Sequence, residues 1–138
     1  REELQQQIDT LSLNKNIRLN PSTDAIAGKY VESSCFVLTS EYEGFPMVLT
    51  EAMISGLPVV SFTCPCGPRD IINDGVDGFL VENGNVKELA EKICTIIENE
   101  PMRIEMGKAA QANIQRFSIE NIGKKWEQLF DELLEKKK

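Results

Sequence analysis

Apolar positions along the chain fall into two spacings, and these sort it into alternating helices and short strands. Leu4, Ile8 and Leu11 share one helical face at the start. Ile17-Arg18-Leu19 predicts a short strand closed by Asn20-Pro21. Thr23 or Asp24 then offers a side-chain acceptor to cap a helix through about Ser33. Cys35 to Leu38 is an unbroken apolar run of strand length. Pro46 suits the first turn of a helix that runs to Gly56, and Pro58 to Phe62 is the next strand. A Pro/Gly-rich loop from Cys64 to Pro68 leads into a short helical turn ending near Ile72. The turn dipeptides of Asn73-Asp74-Gly75 and Asp77-Gly78 precede a strand at Phe79-Leu80-Val81. Val86, Leu89, Ala90, Ile93, Cys94 and Ile97 mark an amphipathic helix, and Pro101 opens another through about Asn113. Ser118 caps the last helix, whose stripe is Ile119, Ile122, Trp126, Leu129, Phe130, Leu133 and Leu134. The Lys136–Lys138 tail complements the dipole at that helix's C-terminus.

The strands read as continuous apolar runs, the pattern of parallel strands covered on both faces. Alternating strands and helices with short connections predict an α/β domain with a mainly parallel sheet flanked by helices. Ligands in such sheets sit beyond the carboxyl ends of the strands. At 138 residues the chain fits one compact domain burying roughly two-thirds of its unfolded surface. No internal repeat or low-complexity segment interrupts it.

Composition removes several function classes. Apolar residues make up 41% and charged residues 27%, which excludes disorder, collagen and coiled coil as descriptions of the whole chain. The 15 Lys+Arg face 22 Asp+Glu, and the net charge of −7 argues against nucleic acid, whose phosphates need clustered cations. No apolar run nears the ~20 residues that span a bilayer, and the opening residues are not expected to be a signal peptide. It starts at Arg1 without a Met and is expected to be a piece of something longer. The absence of histidine leaves no Ser-His or Cys-His nucleophile pair and no His-ligated metal within the chain. Cys35, Cys64, Cys66 and Cys94 do not form a disulfide framework, and Cys64-Pro65-Cys66 lacks the second pair that zinc needs and the C-x-x-C of redox sites. They are read as reduced, cytosolic thiols. The Asp74–Asp77 region lacks the acidic spacing and closing Glu of a calcium loop.

The informative segment is Ser40 to Ala52, between the strand ending at Leu38 and the helix starting near Pro46. Free N–H groups of Phe45, Met47 and Val48 at a helix start, with the helix dipole behind them, make an anion site. Gly44 removes side-chain bulk where a phosphate would approach. Glu43 stands just before the helix and Glu51 about five residues along it, their attachment points roughly 8 Å or more apart. That spacing suits two carboxylates touching different parts of one elongated ligand, not a shared metal. As acceptors they match sugar hydroxyls, so the segment describes a nucleotide-sugar pocket. The alternative is two ordinary surface glutamates, one of them favourable near a helix N-terminus.

Glu43 to Glu51 is an E-x7-E. With its surroundings, Ser-Glu-Tyr-Glu-Gly-Phe-Pro-Met-Val-Leu-Thr-Glu-Ala-Met-Ile-Ser-Gly-Leu-Pro-Val-Val, it resembles the signature of the retaining, nucleotide-sugar-dependent glycosyltransferases of GT-B architecture, glycosyl transferases group 1. The likeness extends through Gly67-Pro68-Arg69-Asp70-Ile71-Ile72 and Gly75-Val76-Asp77-Gly78-Phe79-Leu80-Val81, and upstream through Tyr30 to Ser40. Residues 16–81 thus carry the specific motifs, and residues 85–135 match in helical pattern. The resemblance implies that Glu43 contacts the transferred sugar at the reacting centre and that Glu51 binds the ribose hydroxyls. Gly44, Phe45, Met47 and Val48 would meet the diphosphate or sugar. It further implies retention at the anomeric carbon, a nucleoside diphosphate leaving group stabilised electrostatically, and no metal or other cofactor. Base contacts are expected from the backbone of the Leu19–Asp24 loop. Thr63 stands where an acidic residue is frequent and Asp70 where Glu is usual, departures that touch the 63–70 loop rather than the pocket.

The resemblance also implies absent parts. Two strands and a basic pair that grips the diphosphate would precede Arg1, as would an acceptor-binding N-terminal domain. Those two strands lie centrally in the 3-2-1-4-5-6 order. The chain is therefore expected to be a partial C-terminal nucleotide-sugar-binding domain, with the Ile17–Leu19 strand re-paired or poorly ordered and sugar transfer inefficient in isolation. Its function reads as the donor-binding portion of an enzyme of surface polysaccharide or glycolipid assembly, cytoplasmic, with any membrane association resting on the absent domain. The rival readings are a nucleotide-sugar epimerase, whose acid/base groups are not identifiable, and a non-catalytic nucleotide-binding or interaction module.

Overall fold

A computed structural model describes residues 1–136. Seven α-helices and three strands follow in the order α1 (Glu2–Thr10), α2 (Ile26–Val31), β1 (Phe36–Leu38), α3 (Met47–Ile54), β2 (Val59–Phe62), α4 (Pro68–Ile71), β3 (Gly78–Val81), α5 (Val86–Glu98), α6 (Glu100–Asn113) and α7 (Ile119–Glu135), with a 3₁₀ turn at Ile114–Phe117 between the last two. The strands form one parallel sheet in the order β1-β2-β3, with Phe36 beside Val59 and Val59 beside Gly78. The expected α/β class and parallel sheet are present.

Alternation along the strands splits the core into two layers. Val59 packs with Tyr30, Leu49, Ala52, Met53, Ile71, Ala110 and Ile114 on one side, joined by the partly buried Phe36, Leu38 and Leu80. Val60, Phe62 and Val81 pack with Leu89, Ile96 and Met106 on the other, joined by Val37 and Phe79. All four residues of β2 are buried, as expected of a central strand. β1 is half-buried throughout, because its outer edge has no strand beside it among the described residues.

Several expectations are corrected. Ile17–Leu19 forms no strand. A strand is stabilised by a ladder, and among the described residues no neighbour supplies one; Arg1 Nη2 donates instead to Leu19 O at 2.9 Å. Thr23 does not cap α2: its hydroxyl accepts from Ala25 N–H at 3.1 Å, ahead of the helix, which starts at Ile26 with Ala25 in the cap position. Pro46 is the cap residue of α3 rather than a residue of its first turn. In α1 only Ile8 is buried, while Leu4 and Leu11 are exposed.

Side-chain caps hold the later helices. Asn85 accepts from Glu88 N–H, Asn99 from Met102 N–H, and Ser118 from Asn121 N–H as expected. Helix α3 ends on Gly56 at φ +78°, with Gly56 N–H donating to Met53 O and Leu57 N–H to Ala52 O. That paired arrangement stops the helix and turns the chain into β2. The stripe on α7 forms as a helix face, but none of its side chains is buried, and Trp126, Phe130 and Leu134 stand exposed. Lys136 caps α7, and the rest of the basic tail lies outside the described residues. Among the described residues no helix is long and apolar enough to cross a membrane, and the four cysteines are free.

Candidate functional site

The loop 39–46 leaves the carboxyl end of β1 and feeds α3, whose first turn carries no acidic residue. The N–H of Leu49 is taken by Pro46 O at 3.0 Å. Those of Phe45, Met47 and Val48 donate to no protein acceptor among the described residues, which leaves three donors at the positive end of the helix. A Cβ on Gly44 would meet open space, so room for a ligand exists beside them.

This end of α3 is held from three directions. Leu49, Ala52 and Met53 are fully buried against the sheet, and Thr50 Oγ1 donates to Met47 O at 2.7 Å. The Gly67-Pro68 loop lies directly against it. A Cβ on Gly67, at φ +87°, would fall 2.8 Å from Gly44 O and onto the Pro46 ring. Asp70 Oδ2 accepts from Gly67 N–H at 3.3 Å, so the shorter carboxylate still closes that loop. The Phe45 ring stands edge-on to Phe117, with centroids 5.2 Å apart. Phe45 and Met47 line a cavity of about 220 Å³ with Thr50, Ile54, Ile114 and Phe117. Glu41 O accepts from Asn83 Nδ2 of the β3–α5 loop at 3.4 Å, tying two loops at the carboxyl edge together.

Glu43 is half-buried at the start of the segment, and Glu51 is exposed on the outer face of α3. The hydroxyl of Tyr30, on α2, donates to Glu51 Oε2 at 2.9 Å. Tyr30 is itself buried, and burial first, then the Glu51 carboxylate, pushes its phenol up to about 12. Glu51 and Tyr30 line a cavity of about 350 Å³ with Ile26, Ala27, Ile54 and Ser55. An adjoining cavity of about 470 Å³, also bordered by Ile26, opens beneath Asn20, Pro21 and Thr23 in the loop expected to meet the base. The side chains of Phe45 and Met47 therefore face one cavity and Glu51 another, with Ile54 bordering both. Among the described residues no group of three His, Cys, Asp or Glu side chains is placed to hold a metal ion.

Three supporting contacts were not foreseen from sequence. The Tyr30–Glu51 bond joins residues 21 positions apart, and the edge-on contact of Phe45 with Phe117 joins two distant loops. Asp77 is the third: fully buried, it accepts from Asn73 N–H at 2.8 Å and from Asn113 Nδ2. Arg116 extends this network by donating to Asn113 Oδ1 at 2.8 Å and to Ile71 O at 2.9 Å, fastening the end of α6 to α4. Burial pushes the Asp77 carboxyl up, and the bonds from Asn73 and Asn113 and the charge of Arg116 pull it part of the way back.

Comparison with known proteins gives a consistent family. The family described as glycosyl transferases group 1 matches residues 1–113. A poly(ribitol-phosphate) alpha-N-acetylglucosaminyltransferase of Staphylococcus aureus is 35% identical over 132 residues, covering 95% of this chain and 27% of its own length. The crystal structure of TarM superposes with a TM-score of 0.87 at 35% identity, over 94% of this chain and 26% of that one. HepE of Anabaena, solved in complex with UDP-glucose, superposes with a TM-score of 0.84 at 30% identity, over 95% of this chain and 36% of that one. The chain thus spans about a quarter to a third of the length of these relatives.

Proposed function

Because this chain belongs to the glycosyl transferases group 1 family, we propose that it forms the donor-binding portion of a retaining glycosyltransferase that moves a sugar from a nucleoside-diphosphate-sugar to an acceptor. The observation that carries this is the set of free N–H groups at the start of α3, bracketed by Glu43 and Glu51 at the carboxyl edge of the sheet. The HepE complex with UDP-glucose supports a nucleotide-sugar as the donor class.

The Phe45, Met47 and Val48 N–H groups and the α3 dipole receive the diphosphate. Their charge matters most as the bond from the anomeric carbon to the phosphate oxygen breaks, when the leaving diphosphate gains negative charge. Because α3 is fixed by its buried side, these donors need no reorganisation at that moment. Glu43 touches the transferred sugar, and Glu51 accepts from the ribose hydroxyls. The acceptor hydroxyl oxygen bonds to the face of the anomeric carbon that the diphosphate leaves, the sugar–phosphate C–O bond breaks, and the hydroxyl proton passes to the departing diphosphate oxygen. No metal is assigned in this reading: the diphosphate meets backbone N–H groups, and each carboxylate meets hydroxyls. A second domain of the same protein is the proposed holder of the acceptor.

Calorimetric titration with UDP, GDP and ADP tests the pocket, and sugar transfer by the full-length protein tests the chemistry. One nucleotide should bind, and Glu51→Ala should weaken it roughly tenfold or more, the worth of a hydrogen bond to a charged group. Glu43→Gln should abolish transfer while nucleotide affinity stays near wild type. Transfer unchanged in Glu43→Gln would sink the enzyme reading and favour a binding module.

A further inference from the structure

We infer that Tyr30 is a positioning residue for the nucleotide, holding the Glu51 carboxylate in the orientation that meets the ribose, through the hydrogen bond from its hydroxyl to Glu51 Oε2. This rests on the reading of Glu51 as the ribose ligand.

The geometry separates this role from ordinary core packing. Tyr30 is 5% exposed, and its ring lies edge-on to Phe36 of β1 at 5.8 Å, inside the same cluster as Leu49, Ala52 and Met53 of α3. The ring is therefore fixed to both the sheet and the inner side of α3. Its hydroxyl reaches past that core to the outer face of the helix, where Glu51 is exposed and has water available in place of a protein partner. Fold stability does not require the exposed carboxylate to be bonded. A long, flexible Glu side chain loses rotamer freedom when it binds a ligand, and a rigid donor on one oxygen removes part of that loss beforehand. The bond occupies Oε2 on one side and leaves Oε1 free to accept from a ribose hydroxyl. The raised Tyr30 phenol is consistent, since it stays a donor at any pH near neutrality. The pair also borders a cavity that adjoins the one beneath Asn20, Pro21 and Thr23, so the carboxylate is held at an open site rather than against a packed wall.

The test uses the full-length protein, with UDP and 2′,3′-dideoxy-UDP as probes. Tyr30→Phe keeps the ring and removes the hydroxyl, and its thermal midpoint checks that the core is intact. The expected result is a roughly three- to tenfold weaker UDP with the dideoxy analogue changed less than twofold. Adding Tyr30→Phe to Glu51→Ala should then change neither. If Glu51→Ala lowers the preference for UDP over the analogue but Tyr30→Phe leaves it at the wild-type value, the positioning role is wrong while the ribose reading stands. If Glu51→Ala itself leaves that preference unchanged, the ribose reading fails and takes this inference with it. Equal weakening of both probes by Tyr30→Phe assigns the residue to packing alone and overturns the proposal.

Discussion

Substituting Gly67 by Ala should damage the start of α3 from a distance. Gly67 sits at φ +87° and ψ −71°, a sparsely populated backbone region that costs a side chain about 1–3 kcal/mol. The added methyl would also strike the Pro46 ring and lie 2.8 Å from Gly44 O, both of which belong to the loop feeding α3. Overpacking against rigid groups costs about 1–3 kcal/mol, so the sum is about 2–6 kcal/mol. Gly84 supplies the control: its φ is +80°, but a Cβ there meets nothing within 4 Å, so Gly84→Ala carries the strain alone. Both substitutions lower unfolded-state entropy alike, and that contribution cancels in the comparison. Urea unfolding should place Gly67→Ala about 1–3 kcal/mol below Gly84→Ala with similar slopes, and UDP affinity should fall only for Gly67→Ala. Equal destabilisation by the two would refute the argument that the 67–68 loop wedges the site.

Asp77 makes a pH prediction. Its folded carboxyl titrates above the ordinary 3.8, so the folded chain holds this proton more tightly and stability from this group falls as pH rises from about 3.8 through the raised value, then levels. Asp77→Asn should remove that falling limb while leaving one donor unpaired at a cost of about 1–3 kcal/mol; midpoints against pH for both proteins check it, and an unchanged pH profile in the variant would count against it. Ile96, fully buried, and Ile97, 62% exposed, are chain neighbours with opposite environments. Ile96→Ala should cost about 2–5 kcal/mol and Ile97→Ala under about 0.5 in urea unfolding; similar values would mean α5 is rotated from its described face. Ser118→Ala should remove the α7 cap, lowering helicity by circular dichroism and stability by about 1 kcal/mol. No change would place the start of α7 elsewhere.

Most of the fold was legible because burial leaves its mark on single segments. The runs at Phe36–Leu38, Val59–Phe62 and Gly78–Val81 are apolar since the sheet is covered on two sides. The α5 helix was legible but its stripe is corrected: the face that packs into the core carries Leu89, Ile93 and Ile96, while Val86, Ala90, Cys94 and Ile97 are exposed. Spacing alone allowed two neighbouring faces, and the sheet selects the one that holds Ile96. Ile17–Leu19 failed because a strand is a property of a pair, and apolar character in one member says nothing of whether a ladder forms. The α2 start failed for a local reason: a hydroxyl bonded two residues ahead makes a turn of its own instead of a cap. At the site, the free N–H groups at the start of α3 were readable from the sequence around Pro46, while the contacts of Tyr30, Asp77 and Phe117 were not. Their contacts depend on which elements the topology stacks together, and neither spacing nor composition encodes that.

What makes α3 suitable for a site is the mismatch between its two sides. Leu49, Ala52 and Met53 are fully buried, whereas Met47, Glu51 and Ile54 face outward. Turning the helix by one residue, about 100°, would carry Glu51 to the position Ala52 holds in the core. An unpaired carboxylate there would cost several kcal/mol, and the Glu side chain would overpack the space that the Ala52 methyl fills. Sliding it toward β2 is blocked by Gly56, whose positive φ ends the helix at one residue. Rotation and translation are thus both fixed by the core, so the direction of the free N–H groups and the face that carries Glu51 are set before any ligand arrives. The remaining freedom lies in the Glu51 side chain itself, and that is the degree of freedom the Tyr30 hydroxyl restricts.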